Sequence, residues 1–89
     1  MYYVYVLQSK KDRSLYIGYT NDLKRRFEEH NKKLSRSTKF KTPFQLVYYE
    51  AYQSRADARY REDNLKRYSG AYTHLRRRIK NSVADDHPK

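Results

Sequence analysis

The chain has 89 residues, with 21 Lys and Arg against 10 Asp and Glu, and therefore a formal charge of +11. A domain of this length buries only about 60–65% of the surface that its unfolded chain exposes, so we expect one domain, residues 1–81, with a thin core. Cysteine is absent and no HxxxH or HExxH spacing occurs, which excludes disulfides, thiolate metal sites and the common zinc motifs.

The basic excess predicts a polyanionic partner, and nucleic acid suits it best. The charge does not distinguish DNA from RNA, so both are candidate partners. An anionic membrane is a weaker alternative, because the cations are spread along the chain and do not line one amphipathic helix. Solubilising surface charge is the plain alternative. No apolar run is long enough to span a membrane and no signal-peptide pattern occurs, so we expect a cytoplasmic location.

A β-hairpin is predicted first in the chain. Aromatic and β-branched residues over 2–8 favour a strand, and residues 14–20 form the return strand after a charged turn. Because side chains alternate along a strand, Tyr16 and Gly18 share a face of the second strand. A glycine inside a strand often marks the close approach of another group to the backbone, so we expect such an approach at Gly18.

A helix is predicted next, from the start signals Asn21 and Asp22 to about Lys33. Its apolar stripe at helical spacing consists of Leu23, Phe27, His30 and Leu34. Arg26 lies at the edge of this stripe, four residues before His30, so the two side chains are neighbours.

A basic loop over 32–43 leads to a third strand, 44–52. Ser54 with Asp57 resembles a capping box and opens a second helix, about Arg55 to Tyr68. Ser69-Gly70 is expected to break this helix. A third amphipathic helix follows, and residues 82–89 are predicted to form a disordered tail. The cations that we expect to contact nucleic acid are Lys24, Arg36, Lys39, Lys41, Arg76 and Arg77.

Glu62 is the most informative residue outside the hairpin and the first helix. It shares a helix face with Ala58 and Leu65, which form the apolar stripe of the second helix. A carboxylate on a buried stripe must be paired or must bind a cation, because desolvating it alone is costly. Glu62 is therefore either part of a structural ion pair with an arginine or a ligand for a divalent metal such as magnesium, with water and substrate phosphate as the other ligands.

Tyr5 and Tyr16 could place two phenols at one point of the hairpin. Either of them alone is explained as an ordinary strand residue. A phenol has a reference pKa of about 10. We expect nearby positive charge and a bound metal to lower that pKa, so that a phenolate can take a proton from water. Either tyrosine could be this base.

Arg26 and His30 are the candidate partners of these phenols. Arg26 can offer its planar guanidinium to a phosphate and stabilise the charge that builds on it, or it is a solvated helix arginine like Arg25. His30 is either a core histidine with satisfied hydrogen bonds or a group that orients a tyrosine or relays its proton.

An ordered set of motifs resembles the GIY-YIG nuclease domain. The set is Tyr3-Val4-Tyr5, Tyr16-Ile17-Gly18, Thr20-Asn21-Asp22-Leu23, Arg26 with His30, and Arg61-Glu62. The resemblance covers about residues 2–80 and is greatest to the small, stand-alone bacterial members of the superfamily. That superfamily also includes the amino-terminal domain of the bacterial excision-repair incision subunit, so DNA repair is one implied setting. The implied fold is α+β, a three-stranded antiparallel sheet flanked by about three helices.

The resemblance also implies a reaction and a role for each residue. Tyr5 and Tyr16 match the two motif tyrosines and Gly18 the motif glycine, while Arg26 and His30 match the catalytic arginine and the helix histidine. Glu62 matches the glutamate that binds one divalent metal, Mg²⁺ or Mn²⁺. The implied reaction is hydrolysis of a phosphodiester bond in DNA by a metal-dependent endonuclease.

The sequence departs from the family pattern at three points, and these departures leave alternative functions open. The first motif lacks the glycine and isoleucine of the family, no asparagine beyond Glu62 matches a further family position, and no second domain for target selection is visible. Cleavage at defined sites would then need a targeting protein partner or recognition of DNA structure. The alternatives to an endonuclease are a nucleic-acid-binding module that keeps the fold without turnover and an adaptor that docks on an acidic protein.

Overall fold

The predicted hairpin forms, and a third strand completes the sheet. In the computed structural model, which describes residues 1–84, the strands are β1 (Tyr2–Ser9), β2 (Leu15–Thr20) and β3 (Phe44–Tyr52). Both neighbours of β1 are antiparallel to it, and the order β2-β1-β3 leaves β2 and β3 as free edges. In this register Tyr5 of the central strand lies between Gly18 on β2 and Tyr49 on β3.

Three α-helices flank the sheet, which confirms the predicted α+β fold. They are α1 (Leu23–Asn31), α2 (Arg55–Arg67) and α3 (Ser69–Arg78), and a short 3₁₀ turn spans Lys39–Lys41. Asp22 caps α1 and Ser54 caps α2, because each side chain accepts a hydrogen bond from a backbone N–H in the first turn. The predicted break at Ser69-Gly70 is wrong by one residue, since these residues begin α3 and the chain turns at Tyr68.

The helices cover opposite faces of the sheet. On one face, Val4, Val6 and Ile17 of the hairpin pack against α2 and α3. On the other face, Tyr5 and Leu7 pack with Phe44 of β3 and with α1. The helix residues in these clusters are Ala58, Leu65, Leu75 and Ile79 on the first face and Leu23 and Phe27 on the second. A group on α1 can therefore meet a group on α2 only around an edge of the sheet.

The end of α1 differs from the prediction. The backbone of Lys33 is left-handed, with φ of 63°, and the N–H of Leu34 bonds the carbonyl of Glu29, so the helix stops at Asn31. This reversal turns Leu34 away from the stripe and leaves it 68% exposed. The prediction that Leu34 belongs to the inner stripe is therefore wrong, whereas His30 is completely buried.

The first residues of the predicted tail are packed. Val83 lies against the core on the α2 face, and the side chain of Gln8 exchanges two hydrogen bonds of 2.9 Å with the backbone of Ala84. The boundary after residue 81 therefore does not mark the end of the packed chain. The rest of the predicted tail, residues 85–89, lies outside the described residues. Within residues 1–84, no helix combines the length and the apolar character needed to cross a membrane.

A partly buried carboxylate links β3 to α2. Glu50 accepts two-pronged hydrogen bonds from Arg61, the shortest of 3.0 Å, and further bonds from the hydroxyls of Tyr48 and Tyr52 at 2.6 and 2.5 Å. Burial alone would raise the pKa of Glu50, but the hydrogen bonds from Arg61 and the two tyrosines outweigh it and lower the pKa.

Replacing Glu50 with glutamine should destabilise the fold in a pH-dependent way. A carboxyl whose pKa is lower in the folded state adds stability above its unfolded pKa and loses it as pH falls through the folded value. At pH 7 we expect Glu50→Gln to reduce the free energy of unfolding by about 1–3 kcal/mol, because it disrupts a partly buried network of charge-assisted hydrogen bonds. The loss should shrink below pH 4 in urea unfolding experiments. Asp63→Asn, which removes an exposed pair with Arg67, is the control. An equal loss at both pH values would contradict this account.

Candidate active site

The site is built around the phenol of Tyr5. This residue lies on the central strand opposite Gly18, and its side chain is almost completely buried. A Cβ added to Gly18 would overlap the ring and the hydroxyl of Tyr5. The group that approaches the glycine backbone is therefore the Tyr5 ring, which crosses β2 toward the free edge of the sheet. A glycine is required at position 18 because any side chain would overlap the Tyr5 ring. Backbone conformation is not the reason, since the φ of Gly18 is not positive.

The Tyr5 hydroxyl begins a buried chain of hydrogen bonds. It shares a hydrogen bond of 2.8 Å with Nε2 of His30, and Nδ1 of His30 shares one of 2.7 Å with the hydroxyl of Thr38. All three side chains are buried. The chain joins the sheet, α1 and the loop after α1, and it fixes the rotation of the imidazole at both nitrogens.

Tyr16 and Arg26 lie at the rim of this chain. The ring of Tyr16 is 6.4 Å from the ring of Tyr5 and 5.1 Å from that of His30, measured between centroids. Arg26 donates to Glu29 at 3.1 Å and to the Ser35 hydroxyl at 3.4 Å. Both of these side chains are half-buried, so they can contact a ligand from solvent, whereas the Tyr5 phenol is buried.

The two buried groups are neutral at pH 7. Burial and the nearby Tyr16 raise the pKa of Tyr5 to about 12, against the opposing effect of the Arg26 guanidinium. Burial and the charge of Arg26 lower the pKa of His30 to about 4. Arg26 acts on the Tyr5 pKa in the expected direction, but the expectation that this pKa falls below its usual value is wrong without a metal, because burial of the phenol outweighs the arginine.

Glu62 approaches the site from the opposite face of the sheet. It lies on α2, which packs on the face that α1 does not cover. Its neighbour Lys66 connects the two faces around the β2 edge: Nζ donates to Oε2 of Glu62 at 2.9 Å and lies 6.0 Å from the centroid of the Tyr16 ring. The Glu62 carboxylate also contributes to the raised pKa of Tyr5. Glu62 is therefore connected to Tyr16 through Lys66, around the β2 edge of the sheet.

The Glu62 carboxylate has the chemistry of a magnesium or manganese ligand. Its side chain is only 17% exposed, and its oxygens already attract two cations, Lys66 and, at 3.8 Å, Arg59. Pairs of this kind along one helix are weak, about 0.3–0.5 kcal/mol, so a divalent ion can displace them. Within residues 1–84 no group of three or more His, Asp or Glu residues is gathered that could hold a metal ion. A single carboxylate still fits an ion whose shell is completed by water and phosphate.

The predicted nucleic-acid contacts lie in two places, and all six side chains are exposed. Lys24 is in the first turn of α1, and Arg36, Lys39 and Lys41 lie in the loop that supplies Thr38 to the buried chain. Arg76 and Arg77 are on α3, on the other side of the molecule.

Sequence reasoning missed Thr38, Ser35 and Lys66. The first two are buried hydroxyls inside a loop whose sequence predicts a basic surface, and each bonds a candidate catalytic residue. One signal was available: small hydroxyl residues interleave with the cations of this loop. Lys66 had a clearer signal, since it follows Glu62 by one helical turn.

Comparison with known proteins supplies the family context. Residues 1–78 match the family model described as the GIY-YIG catalytic domain. A UPF0213 protein of Haloquadratum walsbyi is 42% identical over 69 residues, which cover 76% of each chain. One from Clostridium perfringens is 40% identical over 68 residues, covering 75% of this chain and 72% of the relative. The solution NMR structure of a UPF0213 protein from Bacillus halodurans superposes with a TM-score of 0.55 at 35% identity, covering 90% of this chain and 86% of that one.

Proposed function

The chain belongs to the GIY-YIG catalytic domain family, and from that premise we propose that it is a metal-dependent endonuclease that hydrolyses phosphodiester bonds in DNA. The observation that carries the proposal is the buried chain Tyr5–His30–Thr38, with Arg26 at its rim. Satisfied hydrogen bonds of this kind also stabilise a core, but a phenol bonded to an imidazole beside an arginine is the arrangement that a proton relay at a phosphate needs.

Proton transfer would run along this chain. The attacking water forms the new O–P bond and gives its proton to the Tyr5 oxygen, while the phenol proton passes to Nε2 of His30. This coupling follows from the pKa of about 12, because a phenol that is neutral at pH 7 can accept a proton only as it releases its own. His30 is neutral, and in the tautomer whose Nδ1–H donates to Thr38 the lone pair at Nε2 faces the phenol.

Charge at phosphorus would be balanced from both faces of the sheet. Arg26 can offer N–H groups to the phosphate oxygens as the pentavalent state forms, and it is held in place by Glu29 and Ser35. Glu62 would hold Mg²⁺ or Mn²⁺, whose positive charge polarises the phosphate and stabilises the leaving oxygen. The P–O bond to that oxygen then breaks, the leaving oxygen takes a proton from solvent, and His30 releases its extra proton to solvent.

The direct test of the metal role is plasmid nicking by the parent protein and by Glu62→Gln. The parent should nick with Mg²⁺ or Mn²⁺ and should be inactive in EDTA. Glu62→Gln should nick about 10²- to 10³-fold more slowly, because losing a metal ligand costs several kcal/mol of transition-state stabilisation. DNA binding should be retained within a few fold. Equal nicking by the two proteins would show that Glu62 does not hold the metal.

A DNA-binding module without turnover is the second candidate function. The pairing of Glu62 with Lys66 and Arg59 favours it, since these cations occupy the carboxylate that a metal would need. This candidate predicts DNA binding that weakens steeply with salt through counterion release, and no nicking with any divalent metal.

Thr38→Val should show whether Thr38 positions the relay. Valine keeps the shape but removes the bond to Nδ1 of His30, so the imidazole loses its preferred tautomer. We expect cleavage to slow about tenfold, in line with losses on removing the partner that orients a histidine. Thr38→Ser keeps a hydroxyl and should restore the rate. The ¹⁵N shifts of His30 should report the tautomer directly. Equal rates for the valine and serine variants would leave Thr38 with a packing role only.

A further inference from the structure

A groove opens at the β2 edge, next to the candidate active site. It has a volume of about 480 Å³ and runs between the edge of β2, the end of α2 and the start of α3. The residues that matter for its chemistry are Leu15, Tyr16, Lys66, Arg67, Tyr68 and Tyr72. Three of these six side chains are phenols and two are cations, a mixture that suits a ligand with flat rings and negative charge.

The groove is continuous with the phenols of the candidate active site. Tyr16 belongs to both, because its ring contacts the Tyr5–His30 pair on one side and lines the groove on the other. Lys66 also belongs to both, through its hydrogen bond to Glu62. A strand whose scissile phosphate lies at Arg26 and Tyr5 can therefore place its next nucleotides in this groove.

Among the groove residues, Tyr68 carries a large aromatic side chain that is not packed against the core. It sits at the turn between α2 and α3, outside the helical conformation, and it is 59% exposed. The other groove tyrosine, Tyr72, is half-buried against the core and close to Arg76, whose Nη1 donates to its hydroxyl at 3.3 Å. An exposed aromatic ring beside cations is a stacking platform for a base.

We propose that this groove binds unpaired nucleotides flanking the scissile phosphate, with a base stacked on Tyr68. The proposal rests on the proposed nuclease function and specifies its substrate as a single strand or a branched DNA with an unpaired arm. In a duplex both faces of each base are covered by neighbouring pairs, so a flat ring on the protein has no free face to stack on. Lys66 and Arg67 now pair with Glu62 and Asp63 along the helix, and they would exchange these weak pairs for phosphates of the same strand.

The test measures binding without cleavage. Fluorescence anisotropy in EDTA, on the Glu62→Gln background, would compare a labelled oligothymidine with a duplex of equal length. Tyr68→Ala should weaken binding of the single strand about tenfold or more, the loss expected for one stacked base. Tyr68→Phe should bind as the parent does. Tyr60→Ala, which removes a 69% exposed tyrosine elsewhere on α2, should change binding less than twofold.

Each outcome decides the question. A loss for Tyr68→Ala confined to the single strand supports the groove as its binding site. An equal effect of Tyr68→Ala and Tyr60→Ala, or an equal loss for the duplex, overturns the proposal. Because cleavage plays no part, a protein that never cuts DNA can still pass this test, and a nuclease can fail it.

Discussion

Replacing Tyr5 with phenylalanine is expected to slow DNA cleavage by about 10²- to 10⁴-fold, the usual range for loss of a positioned proton acceptor. Only the hydroxyl is lost. The ring still fills the space over Gly18, so the packing of the sheet is kept. The imidazole of His30, however, loses the partner at Nε2 and can no longer exchange a proton with the reacting water through the phenol.

The same variant should cost some stability. A buried imidazole nitrogen without a hydrogen-bond partner reduces the free energy of unfolding by about 1–3 kcal/mol. Single-turnover cleavage, measured well below the unfolding temperature, separates this loss from the catalytic one. Tyr3→Phe is the matched control: Tyr3 is on the same strand and face, but its ring contacts Tyr49 and not His30. If the Tyr5 and Tyr3 variants cleave at the same rate, the Tyr5 hydroxyl has no part in the reaction.

Replacing Gly18 with alanine is expected to damage both the fold and the reaction. The new methyl group would occupy the position of the Tyr5 phenol, which is buried and cannot swing aside freely. Overpacking of this kind costs about 1–3 kcal/mol. The displaced phenol should also lose its bond to His30, so we expect cleavage to fall about as far as in Tyr5→Phe.

Gly70 offers a matched control for this substitution. An added Cβ at Gly70 meets nothing within 4 Å, and the residue lies inside α3. Gly70→Ala should therefore be neutral or stabilise the protein by up to about 1 kcal/mol, because alanine is the better helix former. Urea unfolding and cleavage of the two alanine variants would be compared. A Gly18→Ala protein as stable and as active as the parent would mean that Tyr5 does not lie across β2.

Local features of the fold were predictable because they depend on neighbouring residues. Alternation along the second strand predicts that Tyr16 and Gly18 share a face, and the capping residue Ser54 predicts the start of α2. The end of α1 was not predictable in the same way. A left-handed backbone at Lys33 has no signature in the apolar periodicity, and it alone removes Leu34 from the core.

The sequence singles out the candidate site residues, but it does not predict how they are arranged. The candidate residues carry chemistry that is unusual for so small a hairpin and helix, so they stand out in the sequence. Their contacts depend on tertiary packing: Thr38 reaches His30 across a loop, and Glu62 arrives from the opposite face of the sheet. The raised pKa of Tyr5 has the same origin, since burial of a side chain cannot be read from its strand register alone.

The measurement that bears most directly on the site is the single-turnover cleavage rate of a labelled DNA at saturating protein, for the parent, Tyr5→Phe, Arg26→Ala and Glu62→Gln. We predict that the parent cleaves with Mg²⁺ or Mn²⁺ and stays inactive in EDTA. Each variant should be slower by at least about 10²-fold while binding the same DNA within a few fold. Cleavage in EDTA, or any of the three variants cutting at the parental rate, would contradict a reaction centre made of these side chains.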